Sequence, residues 1–287
     1  MFGVALDMTL ADFSSIKERP RSFLIGMACQ FFILPAVTFL LILWLNPHPS
    51  VGLGMILVAS CPGGNISNFF TYLGKGNTAL SVSMSAVSTA AAMFMTPFNF
   101  AFWGGMVPGA QGALAEINVT FWQMAQTIFI LMLIPLVIGM FIRHRFPQTA
   151  GKLVKPMKTF SMVFFLAFVA VALAGNWENF MASIDIVFLS VLIMNALAIA
   201  LGYFSATLFQ LPETDRRAVA LEVGIQNSGL GLILIFNFFG GLGGMAIIAG
   251  WWGIWHIITG YAIGYIWSRQ SPNSDNIGHI ADGTLQV

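Results

Sequence analysis

Apolar residues run in blocks of about twenty along most of this 287-residue chain, with short polar segments between them. Blocks at 23–45, 79–105, 119–142, 159–176, 184–210 and 244–267 have the length of helices crossing roughly 30 Å of hydrocarbon. The pattern is not the two-residue alternation of a barrel strand. Residues 1–10 read as the second half of another span, followed by a charged turn over 11–21. Two more blocks, 51–74 and 218–239, have spanning length but are interrupted midway. The tail, 268–287, is rich in Ser, Asn, Asp and Gly and reads as disordered. The pattern predicts an all-α, polytopic membrane protein of nine spans, the first of them truncated.

The interruptions carry the candidate chemistry. In the first, CPGGNISN at 61–68 separates two apolar stretches. Pro62 lacks an N–H and Gly63 and Gly64 accept φ > 0, so the helix is expected to unwind here. In the second, Glu222 stands among apolar neighbours, followed by Gly224, Gln226, Asn227, Ser228 and Gly229. Freed carbonyls and a carboxylate at membrane depth are costly unless something binds them. A cation site made from a broken helix meets that cost, and two broken spans at corresponding places in two halves point to a transporter's binding site. The available ligands are oxygens, the set a hard cation takes. Ser81 and Ser85 lie four apart, on one helix face.

Composition agrees with the pattern: 8% of residues are charged and 57% hydrophobic, with a mean hydropathy of +0.83, where a soluble domain is about 25% charged. The net charge of +1 argues against a nucleic-acid partner. Cys29 and Cys61 both fall inside predicted spans, so no structural disulfide is expected. All twelve basic residues lie in alternate loops or in the tail. The positive-inside rule then puts those loops and the C-terminus in the cytoplasm of a cell (inner) membrane. On that orientation the broken spans run antiparallel and five spans apart, which implies inverted repeats of five helices. The arithmetic predicts a ten-helix plan whose first helix, and part of the second, is missing.

The two interruptions, EVGIQNSG at 222–229 and CPGGNISN at 61–68, with YLGKGNTALSV at 72–82, closely resemble the bile acid:sodium symporter family. MFGVAL at 1–6 and Asp12-Phe13 resemble the end of that family's second helix, and Trp255-His256 a motif in its last. The resemblance implies two crossed broken helices in a core (about 23–105 and 184–267) beside a panel (about 1–20 and 119–176). It also implies two transported sodium ions and an organic anion as partners within the lipid bilayer. Ser67, Asn68, Ser81, Ser85 and Glu222 would hold one ion. Glu222, Gln226, Gln30 and the backbone carbonyls of Val223 and Ile225 would hold the other. Asn65, Asn227 and His256 would face the anion, a bile-acid-like molecule or a small carboxylate such as pantoate.

Each of these residues also has a plainer reading. Glu222 could be tied structurally to a neighbouring helix, although no Lys or Arg lies within a predicted span to pair with it. Ser67 and Asn68 could cap the resumed half-helix, and Ser81 and Ser85 could be small residues at a helix interface. Gln30 could bond a carbonyl freed by Pro35, and His256 could be a satisfied buried histidine. The basic loop from Arg143 to Lys158 reads as a topology signal. The expected function is sodium-coupled symport of an organic anion into the cell by alternating access. The alternative is a proton-coupled cation antiporter, which would want a buried acid pair where only Glu222 is in view. An enzyme would need converging nucleophile, base or metal-binding groups, and none is in view. The sequence leaves the oligomeric state open.

Overall fold

A computed structural model describes residues 2–6, 14–112, 114, 120–175 and 177–272, and within these the chain is helical apart from short connections. In chain order the helices are α1 (Phe2–Ala5), α2 (Ser14–Glu18), α3 (Pro20–Leu45), α4 (Pro49–Ser60), α5 (Ile66–Leu73) and α6 (Thr78–Gly104). They continue with α7 (Phe121–Arg145), α8 (Pro147–Ala174), α9 (Trp177–Leu208), α10 (Glu213–Gly224), α11 (Ser228–Phe238) and α12 (Gly243–Ser268). Six of them are long and apolar enough to cross a membrane: α3, α6, α7, α8, α9 and α12. The protein is an all-α, multi-pass membrane protein. Asp12-Phe13 and most of the tail, 273–287, lie outside the described residues.

The interrupted spans divide into half-helices. α4 and α5 have 12 and 8 residues, roughly 18 and 12 Å at 1.5 Å per residue, so together they match one hydrocarbon thickness. α10 and α11 have 12 and 11 residues. Both breaks are shorter than the polar runs suggested. Ser67 and Asn68 already belong to the first turn of α5, and Glu222 to the last turn of α10. Gly229 is helical rather than a point of departure.

Helix ends differ most from expectation at the basic segment after α7, which was expected to be a loop. It is helical from Pro147 onward, because hydropathy marks where hydrocarbon ends and not where the hydrogen-bond ladder ends. Two spanning helices share another device. Pro35 and Pro135 lack the N–H that would bond the carbonyl four residues back. Just before each, the backbone widens into a π turn, Cys29–Ile33 and Phe129–Leu133, in which Leu34 N–H reaches Cys29 O and Ile134 N–H reaches Phe129 O. Gln30 lies in the first of these turns.

Close helix contacts fix the frame around the breaks. A Cβ on Gly202 of α9 would sit 2.8 Å from Ala220 Cα of α10, so only glycine permits that approach. Apolar side chains such as Trp44, Phe141, Phe160, Val171 and Leu208 face outward, as a lipid-facing surface requires, while buried polar residues gather around the breaks.

Candidate functional site: two crossed half-helix pairs

The two breaks pair with each other. Gly63 and Gln226 form an isolated antiparallel bridge, Gly64 N–H donates to Ile225 O at 2.6 Å and Asn227 N–H to Pro62 O at 2.9 Å. Extended backbone at this depth leaves helix-end carbonyls to be satisfied, and side chains from the flanking helices do so. Thr96 Oγ1 of α6 donates to Ser60 O at 2.8 Å, and Gln30 Nε2 of α3 to Cys61 O at 2.8 Å. At the second break, Asn195 Nδ2 of α9 donates to Gly224 O at 2.8 Å. Asn195 is in turn held by Thr259 Oγ1 of α12 at 2.7 Å. Each break therefore has a buried amide supplied by the helix just before the broken pair.

Beside the crossing lies a cluster of buried oxygens. Ser67 Oγ of α5 donates to Glu222 Oε2 at 2.6 Å. Ser85 Oγ of α6 lies 2.8 and 3.0 Å from the two carboxylate oxygens. Ser81 Oγ is 3.3 Å from Oε2 and 2.8 Å from Asn68 Oδ1, which also lies 3.2 Å from Ser85 Oγ. Glu222 is only 2% exposed. Among the described residues its partners are these three serines, with no Lys or Arg in ion-pair contact. A buried carboxylate compensated by hydroxyls alone is poorly stabilised as a static feature. Those hydroxyls can rotate their protons aside and offer lone pairs instead. Thr71 Oγ1, 3.3 Å from Ser81 Oγ, extends the cluster. The first break makes room for it: a Cβ on Gly63 would overlap the Glu222 carboxylate.

A second group sits at the crossing itself. Gln30 and Gln226 form a reciprocal amide pair, Nε2 to Oε1 at 2.7 and 3.1 Å. Gln226 Nε2 also donates to Val223 O at 2.7 Å. Ile225 O is occupied by Gly64 N–H across the crossing. The structure thus brings Gln30, Gln226 and the Val223 carbonyl together and turns the Ile225 carbonyl toward the bridge. Gln30 does not use a carbonyl freed by Pro35, because the π turn aims its amide at Cys61.

Asn65 and Asn227 are the N-caps of α5 and α11, the latter accepting from Leu230 N–H at 3.0 Å. His256 lies on the face of α12 bracketed by Ala249, which packs near Gly231 of α11, and Gly260, which packs near Phe70 and Ile225. That bracket directs His256 toward the crossing. It is 5% exposed and its Nδ1 has no hydrogen-bond partner.

A family model described as the sodium bile acid symporter family matches residues 1–183. The chain belongs to the sodium bile acid symporter family. A Bacillus subtilis protein described as an uncharacterized sodium-dependent transporter, YocS, is 32% identical over 94% of this chain and 81% of its own length. A chloroplastic protein of Arabidopsis thaliana, described as probable sodium/metabolite cotransporter BASS1, is 29% identical over 95% of this chain. Human sodium/bile acid cotransporter 4 is 31% identical over 79% of it. The chain spans 65% of the length of that plant relative and 51% of the human one. Members of this family are sodium-dependent transporters and not enzymes, and sodium is the transported ion.

Sequence reasoning missed Asn195, Thr259, Thr96 and Thr71. Thr71 alone carried a readable signal, since it follows Ser67 by four positions on the same helix face. Arg217 is not the loop cation that its place at the edge of a span suggests. It is instead helical and 2% exposed, bonded to Glu213 Oε1 at 2.9 Å and Gly74 O at 2.9 Å.

Proposed function

We propose that this chain is a symporter that uses two sodium ions to carry an organic anion into the cell by alternating access. The single observation that carries this reading is the convergence of Ser67, Ser81 and Ser85 on Glu222, with Asn68 bonded to two of these serines. These oxygens come from two helices, α5 and α6, and the acid from a third, α10. They surround an acid that lacks a basic partner among the described residues. In this reading they hold the first ion. Glu222, Gln226, Gln30 and the carbonyls of Val223 and Ile225 hold the second, which requires the Ile225 carbonyl to share itself between Gly64 and the ion. Asn65, Asn227 and His256 face the anion at the positive ends of α5 and α11. α1, α2, α7 and α8 form the panel against which the remaining helices rock, and the charged loops and C-terminus lie on the cytoplasmic side of the cell membrane.

The anion is a small carboxylate or a bile-acid-like molecule. Purified protein heated in sodium and in choline, with a panel of such anions, tests the reading. Sodium alone is expected to raise the melting temperature, and one or more anions to raise it further only in sodium. Glu222→Gln is expected to remove both shifts. Equal stabilisation in choline, or a Glu222→Gln variant that keeps the sodium shift, would refute it.

A further inference from the structure

The first turn of α10 holds the most densely bonded buried charges among the described residues, and the site above uses none of them. Asp215 is fully buried. It accepts from Ser22 Oγ of α3 at 2.6 Å and from Asn77 Nδ2 at 2.8 Å, with Arg19 Nη1 at 3.9 Å. Asn77 is the N-cap of α6, its Oδ1 accepting from Leu80 N–H at 3.1 Å, and its own N–H donates to Thr214 O at 2.8 Å. Arg217 reaches Gly74 O at the end of α5 and Trp267 O, at 3.2 Å, at the end of α12. Glu213, which it also binds, accepts from Tyr203 of α9 at 2.9 Å. Gly76, between α5 and α6, packs so tightly here that a Cβ would lie 3.2 Å from Arg217 Cβ and 3.3 Å from Thr214 O.

The helices fastened by this knot include α5 and α6, which supply the oxygens around Glu222, and α10, which carries Glu222 itself. They also include α3, which supplies Gln30. Asp215 and Glu222 lie seven residues apart on one helix, roughly 10 Å, with no flexible segment between them. We propose that Asp215, Asn77 and Arg217 are positioning residues that set the spacing of the sodium ligands from the charged face of the membrane. The inference rests on the sodium reading above. A knot that only held the protein folded would stabilise it equally with and without sodium. A positioning knot changes the affinity for the ion, because each helix it releases moves ligands relative to Glu222.

Asp215 and Asn77 can exchange chemistries, since aspartate is also a good N-cap and an asparagine at 215 can donate to it. The measurement is the half-saturating sodium concentration for thermal stabilisation, with choline keeping ionic strength constant, checked by binding of radioactive sodium. Asn77→Asp, which sets two carboxylates side by side, is expected to raise that concentration about tenfold. Adding Asp215→Asn to it is expected to restore it to within about threefold of the native value. Ser22→Ala, which removes one donor and no charge, is the milder variant should Asn77→Asp fail to fold, with an expected rise of about threefold. If the native protein shows no sodium effect, the sodium reading falls and this inference with it. If it does, and either every variant keeps the native half-saturation or the double exchange recovers nothing, the inference alone is overturned.

Discussion

At Gly63 the absence of one methyl group decides whether Glu222 can lie against the crossing. A Cβ there would be 2.8 Å from Glu222 Cδ and closer still to an oxygen, with Gly63 itself fixed by its bridge to Gln226. Neither side can give way without leaving a hydrogen bond. Gly63→Ala is therefore expected to abolish sodium-induced stabilisation while lowering the melting temperature in choline by an amount corresponding to about 1–3 kcal/mol, the usual cost of overpacking. Thermal unfolding in the two salts measures both, and a sodium shift equal to the native one would contradict the steric account. Glu222, Ser67 and Gly63 were legible in the sequence because each is out of place in an apolar span, and the membrane makes such exceptions costly. Arg217 was not legible. A basic residue at a span's edge looks the same whether it points to water or, as here, turns back to bind Gly74 and Trp267.

For whole elements the decisive question is where the carbonyls of a broken helix find donors. The positions of both breaks followed from Pro62, Gly63, Gly64 and Gly224. Their lengths did not, because polar residues such as Ser67 and Glu222 remain helical when neighbouring helices satisfy them. Nor did the caps. Asn195 is one amide in a 32-residue apolar helix, and nothing in its spacing says that it meets Gly224 O rather than another carbonyl. Its role yields a comparison. Asn195→Ala strands Gly224 O and leaves a cavity, while the Thr259 hydroxyl falls back on Trp255 O at 3.2 Å; Thr96→Val, nearly equal in volume, strands only Ser60 O. Each stranded carbonyl costs about 1–3 kcal/mol, and the cavity left by the larger truncation makes Asn195→Ala the more destabilising by about 1 kcal/mol. Thr259→Val, which leaves the Asn195–Gly224 bond in place, is expected to fall between native and Asn195→Ala. Melting temperatures of the three variants in choline check the order, and equal losses would show that the cap carries no special weight.

For the molecule as a whole, the proposed coupling can be closed as a charge account. If Glu222 serves both ions, a site loaded with two sodium ions and one monovalent anion is neutral, and the empty site carries one negative charge. An interior-negative potential then leaves the inward step alone and drives the empty carrier outward, moving one positive charge inward per cycle. A tenfold sodium gradient supplies about 1.4 kcal/mol per ion, and 100 mV about 2.3 kcal/mol for that charge. Together these give about 5 kcal/mol, enough to hold an anion gradient of between three and four decades. In proteoliposomes, with the anion that stabilises the protein in sodium, clamping the potential from −100 mV to zero is expected to lower steady-state accumulation by roughly fiftyfold. Exchange of labelled for unlabelled anion, with sodium and anion saturating on both sides, uses only the neutral loaded carrier and is expected to ignore the potential. If exchange accelerated with voltage as steeply as net uptake, the loaded site would carry charge across the membrane, and Glu222 could not be the shared counter-ion of two sodium ions.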